Sequence, residues 1–184
     1  MTRDVGKDGC KPSMLRRITL RPIDSGDTAD ILRWRNCDAV MQQFLIRTPL
    51  DAATHERWLK EKVATGQVRQ FILLDETGRG IGSVYLRDID MAARKAEMGI
   101  FIGEDAARGK GYGVEAVEAI VEYGFQALGL HRIYLRVLET NEKAIRVYER
   151  AGFRVEGVAR DDVRIGSAYQ SVVWMARLKE EREA

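Results

Sequence analysis

Residues 97–153 contain the two runs that decide the fold: Arg108-Gly109-Lys110-Gly111-Tyr112-Gly113, and later Asn141-Glu142-Lys143-Ala144-Ile145-Arg146-Val147-Tyr148-Glu149-Arg150-Ala151-Gly152-Phe153. The stretch reads as apolar strand, glycine-rich turn, amphipathic helix, second apolar strand, and a helix that opens at Asn141 and carries Tyr148. Gly109, Gly111 and Gly113 remove Cβ atoms where backbone must approach a ligand closely. The helix that follows offers unpaired N–H groups and a positive dipole end, and Arg108 and Lys110 add charge to the same spot. Val114, Val117, Ile120, Val121, Phe125 and Leu128 form that helix's apolar stripe, and Gly129 ends it.

The turn is a phosphate grip, and two familiar grips fit it poorly. A P-loop needs glycine where Glu104 stands, and serine or threonine after Lys110 where Gly111 stands. A dinucleotide fingerprint fits Gly111 to Ala116, with Glu139 as a ribose partner, but its glycines should start at a strand end. Here several residues separate Ile102 from the turn, and the upstream strands read as hairpins.

Working outward, the chain has 184 residues, 45% of them hydrophobic, which suits one domain at residues 15–184. Residues 1–14 read as a flexible extension without the apolar segment of a signal peptide or membrane anchor. A net charge of +2 with no basic run argues against nucleic acid. Cys10 and Cys37 are too few and too far apart for a disulfide framework or metal site, so no metal and a reducing cytoplasm are expected.

A short strand is predicted over residues 16–22, then a helix to Asn36 capped from Asp24, Ser25 or Asp27, with Ile31, Leu32 and Trp34 inward. Residues 37–49 form a broken segment, after which Asp51 caps a helix bearing His55, Trp58, Leu59 and Val63. Trp34, Arg35, Asn36, Arg47, His55 and Trp58 are read either as a partly buried tryptophan pair among solvated charges or as the wall of an acceptor pocket. Residues 68–75 and 80–87 make a hairpin around Glu76-Thr77-Gly78-Arg79, and residues 95–102 a third strand. On that strand Ala96, Met98, Ile100 and Ile102 share one face, and Glu97, Gly99 and Phe101 the other. Glu97 is then either an edge charge or a carboxylate facing a cleft. Strands over residues 154–159 and 169–178 complete the sheet, with a polar loop at 161–166 on a pocket rim.

The two quoted runs resemble the Q/R-x-x-G-x-G/A and N-x-x-A-x-x-x-Y-x-x-x-G-F signatures of the GCN5-related N-acetyltransferases, the GNAT superfamily. The resemblance spans residues 16–178 and is similar to the RimJ/RimL-like branch, with likeness to spermidine and amino-sugar-nucleotide acetyltransferases. It implies an α/β (α+β) GNAT fold: a single mixed, mostly antiparallel twisted sheet of about six or seven strands, split by an acetyl-CoA gap and flanked by about four helices. It further implies that Ile100, Phe101 and Ile102 meet the pantetheine arm through backbone groups. The turn Arg108, Gly109, Lys110, Gly111, Tyr112, Gly113 and Val114 would hold the pyrophosphate, and Asn141, Ala144 and Tyr148 would complete the acetyl-CoA site.

Tyr148 is the expected general acid: a phenol of pKa about 10 is protonated at neutral pH and can donate to a departing thiolate. Asn141 is an N-cap two turns away on the same face, about 10 Å at 1.5 Å per residue. A lysine-like amine is neutral about once in 2,500 molecules at pH 7, about 4.6 kcal/mol of preparation, so a proton acceptor would help. Glu97 stands where relatives often place one and is read as base, substrate anchor or edge charge. The acceptor is a small-molecule primary amine, either an amino-sugar nucleotide or a polyamine, with a protein N-terminus and a non-catalytic acyl-CoA module as alternatives. Carboxylates would suit a polyamine, whereas Arg35, Arg47 and His55 suit an anionic acceptor. A homo-oligomer is the expectation drawn from relatives.

Overall fold

The computed structural model describes residues 16–182, so the expected extension at 1–14 lies outside the described residues. Seven strands form one sheet: β1 (Thr19–Pro22), β2 (Arg69–Leu74), β3 (Gly80–Asp90), β4 (Lys95–Ile102), β5 (Arg132–Leu138), β6 (Arg154–Ile165) and β7 (Ala168–Leu178). Their order is β1-β2-β3-β4-β5-β7-β6, antiparallel everywhere except between β4 and β5. The helices are α1 (Thr28–Arg35), α2 (Asp38–Met41), α3 (Ala52–Trp58, continued by a π-turn over Leu59–Val63), α4 (Tyr112–Gln126) and α5 (Glu142–Arg150). The mixed, mostly antiparallel sheet is as expected, and α2 makes one regular turn within the segment read as broken.

Local chemistry explains the element ends. The Asp24 carboxylate accepts from Gly26 N–H and Asp27 answers with Asp24 N–H, a reciprocal box opening the turn that feeds α1. Asp51 caps α3 through Thr54 N–H at 2.8 Å. In the β2–β3 hairpin, Asp75 accepts from the N–H groups of Thr77 and Arg79, and Gly78 takes a φ of 80° that a side chain would oppose.

The alternation on β4 separates two cores. Ala96 and Met98 join the larger one beneath α4 and α5, with Val117, Ile120, Val121, Phe125, Tyr148 and Phe153. Phe101 joins a second core under α1 and α2 with Ile31, Trp34, Val40 and Ile72. Glu97 therefore sits on an interior strand, which removes the edge-charge reading.

The largest departure is at residues 161–166. In place of a polar loop, β6 runs on to Ile165, with Val163, Arg164 and Ile165 paired to Gln170, Tyr169 and Ala168, and of this stretch Gly166 alone lies in the turn. This hairpin extends beyond the core, where both faces are wet, so a polar sequence is compatible with strand pairing.

Trp34 is 1% exposed and lies where a Cβ on Gly103 would come within 2.1 Å of its Cγ. Replacing Gly103 with alanine should therefore force the indole to move and lower unfolding stability by about 1–3 kcal/mol in denaturant titration, the usual cost of overpacking. An unchanged midpoint would show that the close approach is not required.

Candidate functional site

Parallel pairing of β4 with β5 covers Lys95 with Arg132, Ala96 with Ile133 and Glu97 with Tyr134, and then stops. Beyond Glu97, residues 98–102 pair only with β3; beyond Tyr134, residues 135–138 pair only with β7. The strands thus bound a V-shaped gap whose vertex is the Glu97/Tyr134 pair. Along one wall the backbone of Ile100, Phe101 and Ile102 has no strand partner on the gap side, an edge able to accept an extended amide-bearing chain.

The glycine turn follows that wall. Gly109 and Gly111 have φ of 75° and 90°, and Gly111 is the residue from which α4 starts. The first N–H groups of the helix, from Tyr112, Gly113 and Val114, point to its N-terminal end; Val114 already bonds the Gly111 carbonyl. A Cβ on Gly113 would touch Val147 at 3.6 Å, so the first turn of α4 packs closely against the middle of α5. Asn141 caps α5 through Ala144 N–H at 3.2 Å.

Not every residue of the turn behaves as its charge suggests. Arg108 folds back: Nε donates to the Ile102 carbonyl at 3.1 Å, Nη2 to that of Gly103 at 3.2 Å, and Nη1 meets Asp105 at 2.6 Å. It ties the bridge to the end of β4 instead of projecting charge over the turn. Tyr112 is buried, with its hydroxyl donating to Glu76 at 2.7 Å, leaving only its main chain to face a ligand. Lys110 is exposed.

Tyr148 is 8% exposed and packs against Phe153. Burial, with a smaller contribution from Tyr85, pushes its phenol well above the ordinary value. Among the described residues its hydroxyl has no hydrogen-bond partner, so the proton is not committed elsewhere.

Glu97, 5% exposed, is held from two sides at the vertex. Arg87 of β3 donates through Nη2 at 3.0 Å and Nε at 3.3 Å; Arg136 of β5 donates through Nε at 3.1 Å and Nη2 at 3.3 Å. Burial alone would raise the carboxyl pKa, but the hydrogen bonds and charges of the two guanidiniums outweigh it and hold the pKa below the usual range. That argues against Glu97 as a base, because its lone pairs are already occupied. Tyr85 lies over Gly99, where a Cβ would be 2.3 Å from its hydroxyl. Tyr134 and Trp174 stack at 6.1 Å, and Arg136 lies 5.4 Å from the Trp174 ring.

The expected acceptor wall divides. Trp34 is core, with Nε1 donating to Glu104 at 2.8 Å. His55 is 2% exposed, packed inside the fold with Nδ1 at 3.0 Å from the Thr28 hydroxyl, and burial lowers its pKa. Arg47 is exposed and bonds the Gln42 carbonyl at 2.7 Å. Arg35 is half-buried with its guanidinium 3.5 Å from the Phe44 centroid; burial lowers its pKa, and the charge also feels Tyr85 and Arg87. Tyr85, Arg87 and Arg136 carry no sequence signal, since the partners of Glu97 lie 10 and 39 residues away.

A model described as an acetyltransferase (GNAT) domain matches residues 17–154. The spermidine N(1)-acetyltransferase of Escherichia coli (strain K12) is 30% identical over 158 residues, covering 86% of this chain and 84% of that protein. The crystal structure of spermidine N-acetyltransferase from Vibrio cholerae in complex with CoA and spermine superposes with a TM-score of 0.85 at 30% identity, covering 91% of this chain and 99% of that one. A dodecameric structure of the V. cholerae protein in an intermediate state gives 0.78 at 29% identity, covering 90% and 96%.

The clamp yields a prediction about stability and pH. Because the folded pKa of Glu97 is depressed, its contribution is present above the unfolded carboxylate pKa and is lost as pH falls through the folded value. Glu97→Gln leaves two guanidiniums without their counter-charge and should cost about 2 kcal/mol at pH 7, less than a fully buried pair because both arginines are about one-third exposed. Urea unfolding at pH 7 and below pH 4 checks this: the two proteins should converge in acid, and a pH-independent difference would contradict the charge argument.

Proposed function

The chain belongs to the acetyltransferase (GNAT) family, and from that premise we propose that it transfers an acetyl group from acetyl-CoA to the primary amine of a small anionic molecule by direct attack. The observation that supports the donor half is the unpaired inner edge of β4 leading to the glycine turn: an extended pantetheine would complete the edge, and the N–H groups at the start of α4 would meet the pyrophosphate. Ile100, Phe101, Ile102 and residues 109–114 serve this role through main chain, Arg108 by bracing the bridge, and Asn141 and Ala144 by fixing the start of α5.

Bound acetyl-CoA supplies the activated acyl group. The chain's part is to hold a proton and a charge. As the new C–N bond forms and the C–S bond breaks, Tyr148 gives its phenolic proton to sulfur. The nitrogen sheds one proton, directly or through water, which restores the phenol. A buried phenol is a weaker acid than a free one, but the same apolar surroundings raise the proton affinity of the thiolate, so donation remains workable.

The acceptor reading rests on charge. Arg35, Arg87 and Arg136 outnumber Glu97 and the exposed Asp88, which lies 3.8 Å from Arg87 Nε. A positive face suits an amine that also bears phosphate or carboxylate, such as a sugar nucleotide. A polyamine is the second reading, supported by the relatives named for spermidine. Assembly with further copies of the chain also fits: Val155, Val158 and Tyr169 are exposed on the outer hairpin at 51%, 47% and 61%, and a relative forms a dodecamer.

An acetylation screen with amino-sugar nucleotides, polyamines and N-terminal peptides, followed by thiol release, tests the acceptor. Turnover confined to polyamines would reject the anionic reading. Tyr148→Phe should keep CoA affinity while lowering kcat about 100-fold or more; undiminished turnover would remove Tyr148 from the reaction.

A further inference from the structure

Arg17 stands just before β1 and reaches the phosphate turn from outside the motif that defines it. Its Nη2 donates to the Lys110 carbonyl at 2.8 Å. Its Nε donates to Glu115 Oε1 at 2.8 Å, its own backbone N–H to Glu115 Oε2 at 2.8 Å, and Nη2 also bonds Oε1. The guanidinium lies 4.8 Å from the Tyr112 ring, and a Cβ on Gly111 would come within 3.2 Å of Nη2. One side chain thus meets Lys110 and Tyr112 of the turn, fills the space beside Gly111 that a Cβ would need, and binds the acidic residue in the first turn of α4.

Two physical consequences follow. In a trans peptide the C=O and N–H point in opposite directions. A Lys110 carbonyl drawn toward Arg17 therefore turns the Gly111 N–H away from it, so this bond sets which way the peptide faces. The second consequence is electrostatic. Glu115 favours the helix N-terminus by its charge, yet a bare carboxylate there would repel an arriving diphosphate. Both of its oxygens are taken by residue 17, through the backbone N–H and the guanidinium, so its charge is matched within the pair.

We propose that Arg17 is a positioning residue for the donor site: it orients the Lys110–Gly111 peptide and neutralises Glu115, so that the turn presents N–H groups to the diphosphate of acetyl-CoA. This rests on the donor assignment made above. It ties occupancy of the cofactor site to the segment entering β1, which the signature Arg108 to Gly113 does not include. Tyr112 extends the tie to the β2–β3 hairpin through its bond to Glu76.

The test pairs two donors. Arg17→Ala should weaken CoA binding about tenfold in calorimetry and raise KM for acetyl-CoA with kcat nearly unchanged, the size expected for a charge at a helix terminus plus one hydrogen bond. With S-acetylpantetheine, which lacks the diphosphate, KM should not move. Glu115→Gln added to Arg17→Ala should recover part of the loss, and Arg17→Lys should fall between alanine and the unaltered protein. Equal CoA affinity in Arg17→Ala, or equal losses with both donors, would overturn the role given to Arg17 alone. Failure of the unaltered protein to bind CoA would overturn the donor assignment itself.

Discussion

The early end of the parallel ladder between β4 and β5 is the constraint on which the rest of the molecule depends. After three residue pairs each strand keeps its outer neighbour, β3 or β7, and loses its inner one. Two strands that diverge expose unpaired amide groups in the middle of a sheet, which is costly unless a ligand or water meets them. Opposed to that divergence is a single carboxylate. Glu97 sits in the last pair and binds Arg87 on its own side and Arg136 on the other, so the vertex is fixed by charge where backbone hydrogen bonds stop.

The two cores make the gap persistent. Ala96 and Met98 are anchored beneath α4, and Phe101 is held on the opposite face by Trp34 and Phe44 at 6.4 and 6.0 Å between ring centroids. Neither wall can swing across to pair with the other without pulling a buried side chain from its core. Gly103 makes room for Trp34, and Arg108 binds the carbonyls of Ile102 and Gly103, so the turn begins at a fixed point relative to the β4 edge.

Those relations also explain what a single sequence could disclose. Glycines at positive φ, caps at Asp24, Asp51 and Asn141, and the apolar stripe of α4 are local facts, and local facts are written in neighbouring letters. The partners of Glu97 are not local: Arg87 reaches it through hairpin register and Arg136 through a helix crossover, so an arginine in either place looks like any solvated charge. Trp34 and His55 looked like a wall because polar and aromatic residues at helical spacing do not say which side is covered. Their burial depends on Gly103, Glu104 and Thr28, none adjacent to them in sequence. Residues 161–166 show the complementary failure, since composition signals a loop wherever a strand leaves the core.

If Glu97 is occupied, the acceptor amine must lose its proton by another route. About 4.6 kcal/mol separates a lysine-like ammonium at pH 7 from its neutral form. A carboxylate able to take the proton is one way to supply this, but positive surroundings are another, because like charges destabilise the ammonium and lower its pKa. In the proposed site Arg35, Arg87 and Arg136 would leave a net positive charge after Glu97 and Asp88 are counted against them. An acceptor with its own phosphate or carboxylate could be drawn in by the same arginines that discourage the charged amine. A polyamine offers no such anchor, and each further ammonium would meet the same repulsion. Under the proposed anionic reading, the face that would hold the acceptor would also prepare its amine, and the proton would leave to solvent.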